Sequence, residues 1–144
     1  MTDLPAWLPI AWAELGVTET AGAKSTARVL EYHKATGLSA ADDETAWCGS
    51  FVAWVMQKAG VAYGRNNAAR ARSWETWGHA IDKPQIGCIA VLWRGSKTAA
   101  TGHVGIVVGW DNGGNVYLLG GNQGNAVSVQ RFNIAERVLS FRMA

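Results

Sequence analysis

The sequence is short of metal ligands, of cysteine and of charge. Its 144 residues include 2 cysteines, 3 histidines and 3 prolines, with a formal net charge of +2. A zinc site needs three or four ligands, usually closely spaced in pairs. Cys48 and Cys88 share no such spacing with His33, His79 or His103, so neither a metal nor any other cofactor is expected. Two cysteines allow one disulfide, but their settings oppose it. Cys48 begins a helix-patterned run, whereas Cys88 lies in Gly87-Cys88-Ile89-Ala90-Val91-Leu92-Trp93, which reads as a buried strand. The start, Met1-Thr2-Asp3-Leu4-Pro5, lacks the basic residues and unbroken apolar segment of a secretory leader. Two reduced thiols are therefore expected, with Cys88 a small core residue.

No apolar run approaches the ~20 residues that a membrane helix needs, so insertion into a membrane is not expected. Arg65, Arg70 and Arg72 cluster without forming a dense basic run, which gives nucleic-acid binding little support. A mild cationic balance would suit an anionic polymer such as a cell wall, although solubility explains it equally well.

What is present fits a globule. Hydrophobic residues make up 49% and charged ones 17%, enough for a core in one domain over residues 1–144. Spacing predicts helices over 6–15, 25–35 and 48–59 and a short helix over 73–78. A polar loop containing Asp42-Asp43-Glu44 is expected over 38–45. Strands are expected over 88–93, 103–110, 116–119, 127–132 and 138–142, with Asp111-Asn112-Gly113-Gly114 as a hairpin turn. Helices first and consecutive strands afterward indicate an α+β fold with an antiparallel sheet of about five strands.

Three short segments carry chemistry. Trp47-Cys48-Gly49-Ser50-Phe51-Val52 puts a cysteine at a helix start, where free backbone N–H groups and the dipole favour a thiolate. Gly102-His103-Val104-Gly105-Ile106-Val107 puts a histidine at the head of a strand, a candidate general base, with Gly102 leaving room beside the ring. Gly120-Gly121-Asn122-Gln123 offers an amide on the next strand. Asn122 fits the role of orienting the imidazole; the competing reading is a turn asparagine among glycines. Gln123 is either an additional polar contact or a substitute orienter. Together these are the parts of a thiol hydrolase.

His33 and His79 read as exposed residues on a helix and in a loop. Of the 8 tryptophans, Trp7, Trp12, Trp54 and Trp93 fall on apolar faces and read as core. Trp47, Trp74 and Trp77 lie by the proposed site and would suit an aromatic wall for sugar rings or peptide stems, with packing as the equal alternative. Arg72 is a candidate partner for a substrate carboxylate.

The three segments resemble the CHAP and NlpC-type branch of the papain-like hydrolases, closest to a small subgroup found in phages and bacteria. Ala71-Arg72-Ser73-Trp74 and Trp77-Gly78 match further segments of that subgroup, and the resemblance spans nearly the whole chain. It implies a papain-like fold and a peptidoglycan hydrolase without cofactor, either an N-acetylmuramoyl-L-alanine amidase or a stem-peptide endopeptidase. It assigns Cys48 as nucleophile, His103 as general base and Asn122 as the orienting residue.

This chain departs from the family pattern in carrying Cys88 and Gly120 where relatives have acidic residues. Asp42 stands near the position of the papain-like oxyanion glutamine, so backbone N–H groups are expected to serve the oxyanion. The resemblance further implies a phage endolysin or an injected lytic effector, made in the cytoplasm and acting on the wall. A monomer is expected, with an immunity protein as partner if the chain is an effector. The alternatives are a thiol acyltransferase or deamidase on another substrate, and an inactive wall-binding module.

Overall fold

The computed structural model describes residues 4–18, 23–37 and 47–144. Three helices come first, α1 (Trp7–Trp12), α2 (Ala23–Lys34) and α3 (Cys48–Ala59). α3 is the central one, with every residue from Cys48 to Met56 buried. It stops at Gly60, whose φ of 73° is left-handed and suits a residue without Cβ. The N–H of Val61 then returns to the carbonyl of Met56.

α1 is shorter than its pattern suggests. Trp7, Leu8 and Ala11 face inward, while Trp12 is 52% exposed and does not join the core as expected. It follows Ala11 directly and so falls off the inward stripe. On α2, Val29, Tyr32 and His33 are buried, as is Thr36 just beyond it, an i, i+3, i+4, i+7 face. His33 is thus 1% exposed rather than at the surface, and its Nδ1 lies 2.7 Å from Ser50 Oγ on α3. The loop expected over 38–45 lies outside the described residues.

Two 3₁₀ segments, Arg65–Asn67 and Ala71–Thr76, lead from α3 to the strands. These are β1 (His79–Ile81), β2 (Ile89–Trp93), β3 (Gly102–Trp110), β4 (Asn115–Gly120), β5 (Ser128–Asn133) and β6 (Val138–Met143), with a one-turn α4 (Ile134–Arg137) before β6. They form a six-stranded sheet in the order β1-β6-β2-β3-β4-β5, antiparallel at every pairing. The strand beyond the expected five is β1, an edge strand paired to the end of the chain at His79↔Met143. His79 therefore lies on a strand, and it is exposed.

Alternation along the strands separates two apolar clusters. Ile89, Val91, Val104, Ile106 and Leu119 pack with α1 and α3, including Phe51, Val52 and Val55. Cys88, Ala90, Leu92, Val107, Val116, Leu118 and Phe141 make a second cluster, closed by Phe132, Ile134 and Val138. β3 pairs with β2 from Trp93↔Gly102 onward, but its ladder with β4 reaches only to Ile106↔Leu119. The head of β3, carrying His103, thus extends past its β4 ladder beside the start of α3.

Candidate active site

Cys48 is the first residue of α3, and Trp47 before it provides no side-chain cap. Among the described residues no side chain caps the N–H groups of the first turn, a setting that suits an anion. The thiol is 5% exposed. Burial alone would raise its pKa, but hydrogen bonding and charge attraction from His103, with the backbone N–H groups of Val104 and Gly49, bring it below the ordinary thiol value. For His103, burial pushes the opposite way, and the bonds to Cys48 and Gln123 hold the ring above the ordinary histidine value despite the charge of Arg94. Each partner stabilises the charged form of the other, which favours a thiolate–imidazolium pair.

The ring's second partner is Gln123, not Asn122. His103 Nε2 lies 2.8 Å from Gln123 Oε1. The amide's orientation is fixed because its Nε2 donates to the carbonyls of Leu118 at 3.0 Å and Ser128 at 2.8 Å. A flipped amide would set its oxygen against two acceptors. Oε1 therefore faces the ring, His103 Nε2 carries a proton, and Nδ1 is the nitrogen left for sulfur. Ser128 Oγ donates to the carbonyl of Gln123, and the N–H of Gln123 donates to that of Ala126, which anchors the residue further. Phe132 stands beside the imidazole with ring centres 5.4 Å apart.

Asn122 is adjacent in sequence, yet its φ of 58° takes the chain through the left-handed region. That turn carries the next amide to the histidine, so Asn122 does not occupy the orienting position expected for it. It lines the cleft on the far side of the ring instead.

The glycine that makes room here is Gly120. A Cβ at that position would lie 2.5 Å from Gln123 Oε1 and 3.5 Å from His103 Nε2. Gly102, expected to clear space for the imidazole, instead admits Arg72 and the carbonyl of Leu92, each within 2.7 Å of a would-be Cβ.

The CHAP domain profile matches residues 40–122. The chain belongs to the CHAP family. CHAP domains are in general cysteine- and histidine-dependent hydrolases of peptidoglycan, and helices packed on an antiparallel sheet are the papain-like arrangement of this family. The matched span contains Cys48 and His103 and ends at Asn122, just before the glutamine that reaches the ring. A comparison with curated proteins gives no match.

Two clefts meet at the CHAP cysteine–histidine pair. The larger, about 1120 Å³, runs from Cys48 along Tyr63, Arg70, Trp74, Trp77 and Arg94. The smaller, about 530 Å³, lies on the far side of His103. Trp74 and Trp77 form the base of the larger cleft, with their indole N–H groups donating to Ala68 at 3.0 Å and Ala62 at 2.9 Å. Trp47 does not reach either cleft; it is fully buried and stacks on Tyr32 with centroids 5.8 Å apart.

Arg72 is committed within the protein. Its Nε binds Glu75 at 2.9 Å, and its terminal nitrogens donate to the carbonyls of Ala99 and Lys97. It therefore staples the β2–β3 loop rather than presenting a free guanidinium to a substrate. Cys88 is fully buried, and burial raises its thiol to about 11, far from a nucleophile's range. Among the described residues no cluster of His, Cys, Asp and Glu is suited to a metal ion, and no helix is long and apolar enough to cross a membrane.

Proposed function

We propose that residues 1–144 form one catalytic domain that cleaves an amide of the peptidoglycan peptide, as an N-acetylmuramoyl-L-alanine amidase or a stem-peptide endopeptidase. The observation that carries this reading is the Cys48–His103–Gln123 chain at the head of α3, open to the larger cleft. The Cys48 thiolate attacks the amide carbonyl carbon, and the carbonyl oxygen gains the charge. The N–H of Cys48 itself, in the first turn of α3 with no intrahelical acceptor, is placed to receive that oxyanion. The imidazolium of His103 gives its Nδ1 proton to the leaving amine as the C–N bond breaks, leaving a thioester on sulfur. The now neutral ring takes a proton from water, the resulting hydroxide equivalent attacks the thioester, and a carboxylic acid departs, losing its proton to solvent, as the thiolate–imidazolium pair reforms. Gln123 holds the ring so that the same nitrogen serves both steps.

A protein of this kind acts on the wall after release or injection, as a phage endolysin or a lytic effector. The test is incubation with isolated sacculi, followed by mass spectrometry of the released fragments. New free L-alanine ends mean amidase, and shortened stems mean endopeptidase; either must vanish in Cys48→Ala. Wall binding without solubilisation would instead favour a binding module. Amide exchange onto an added amine, without net hydrolysis, would favour an acyltransferase.

A further inference from the structure

Among the described residues, those lining the two clefts include arginines but no aspartate or glutamate. Arg94 is the arginine common to both clefts. Most of its counterparts elsewhere are engaged. Arg28 pairs with Glu14 and Glu31, Arg72 with Glu75, and Arg142 donates to the carbonyls of Trp77 and Gly78. Arg137 lies over the rings of Trp93 and Phe132. Among the described residues the Arg94 guanidinium has neither an ion pair nor a hydrogen bond, although its charge is felt at His103.

The backbone beneath Arg94 is held firmly. Its carbonyl accepts from Thr101 Oγ1 at 2.8 Å, it bridges to Ser96, and the loop that follows is pinned by Arg72 at Lys97 and Ala99. A fixed base under an unpaired planar cation, at the junction of two clefts whose described lining residues include no carboxylate, is an arrangement that suits an anion brought by the substrate.

We propose that Arg94 is a specificity-determining residue that binds a free carboxylate of the substrate peptide flanking the scissile amide. The substrate class is then an anionic peptide whose carboxylate sits beside the cleaved bond, on a side branch or at the peptide terminus. The proposal rests on the wall-peptide reading above for its substrate, but not for the presence of an anion site beside Cys48.

Two experiments separate these layers. The first compares alkylation of Cys48 by iodoacetate, which is anionic, with that by neutral iodoacetamide. Arg94→Ala should lower the iodoacetate-to-iodoacetamide rate ratio about three- to tenfold, Arg94→Lys should largely keep it, and Arg131→Ala on β5 should leave it unchanged. An unaltered ratio in Arg94→Ala, or a fall seen in Arg70→Ala alone, overturns the proposal.

The second uses synthetic wall peptides in which the side carboxylate or the terminal carboxylate is converted to a carboxamide. One of the two conversions should cut wild-type kcat/KM about ten- to a hundredfold, and Arg94→Ala should be indifferent to it. Which conversion matters identifies the carboxylate. Equal discrimination by wild type and Arg94→Ala refutes the proposal. If the wild type cleaves no wall peptide, the proposed function fails, while the alkylation ratio still decides whether Arg94 forms an anion site.

Discussion

Replacing Gln123 and replacing Asn122 should have opposite consequences, although the two are neighbours in sequence. Gln123→Ala removes the acceptor for His103 Nε2 and the donors to the carbonyls of Leu118 and Ser128. A hydrogen bond to a charged group is worth about 1.5–3 kcal/mol, and its loss from the imidazolium should cost about 10- to 150-fold in kcat/KM. The stranded carbonyl of Leu118 is buried and that of Ser128 partly so, which together should cost about 2–4 kcal/mol of stability. A fold with about 5–15 kcal/mol in hand survives this, with a Tm lowered by about 6–12 °C.

The pH profile gives a readout that mere loosening would not. The Gln123 bond raises the histidine's pKa, so its removal lowers that pKa. The imidazolium is then lost at lower pH, and the alkaline limb of activity moves toward acid. Asn122→Gly keeps the left-handed turn, since glycine adopts φ near 58° without penalty. It should retain activity within about twofold and the melting temperature within a few degrees. Steady-state kinetics on solubilised wall fragments across pH, with thermal melts of both variants, checks the pair. Near-normal activity and an unmoved alkaline limb in folded Gln123→Ala, or a collapse in folded Asn122→Gly, would refute the assignment.

Cys48 should alkylate with iodoacetamide with a midpoint below the ordinary thiol pKa of about 8.5, and His103→Ala should move the midpoint up, because the ion pair is gone; mass-mapped alkylation against pH reads both. Gly120→Ala inserts a methyl 2.5 Å from Gln123 Oε1 and should reproduce most of the Gln123→Ala loss while leaving every polar group in place; wild-type kinetics in that variant would exclude the contact. Cys88→Ala should keep full wall-degrading activity while losing about 1 kcal/mol, or about 3 °C in Tm, to a small cavity. EDTA should leave the rate unchanged, and strong inhibition would count against a metal-free mechanism.

Much of this arrangement was legible in the residues, and the exceptions have physical causes. α3 was readable at both ends because Cys48 opens an apolar run and Gly60 closes it. The β3–β4 hairpin was readable because Asp111 can accept from the N–H groups of Gly113 and Asn115. β1 was not, since three residues carry no periodicity and their pairing comes from Met143 at the other end of the chain. α4 does leave a trace in the residues. Asn133 followed by Glu136 is a capping pattern, and Asn133 Oδ1 accepts from the N–H of Glu136. The burial of His33 was also available, since it shares the helical face of Val29 and Thr36.

The choice between Asn122 and Gln123 was beyond sequence. It turns on a single backbone dihedral, and shifting one residue along an extended chain exchanges the faces on which side chains stand. Arg72 misled for a different reason. Glu75, three residues on, is legible as a partner, but the other two are backbone carbonyls of residues 97 and 99, which leave no mark in side-chain identity.

The empty space at Gly120 also bears on how the site can be retuned. Any side chain there collides with the glutamine that steers the imidazole, so a mutant library should tolerate almost no alternative at this site. Diversity aimed at new bond preferences belongs on the cleft walls around Arg70 and Arg94, whose side chains are exposed and carry no internal bond. Changes along those walls should alter which bond is cut, while the glycine beneath the histidine stays frozen.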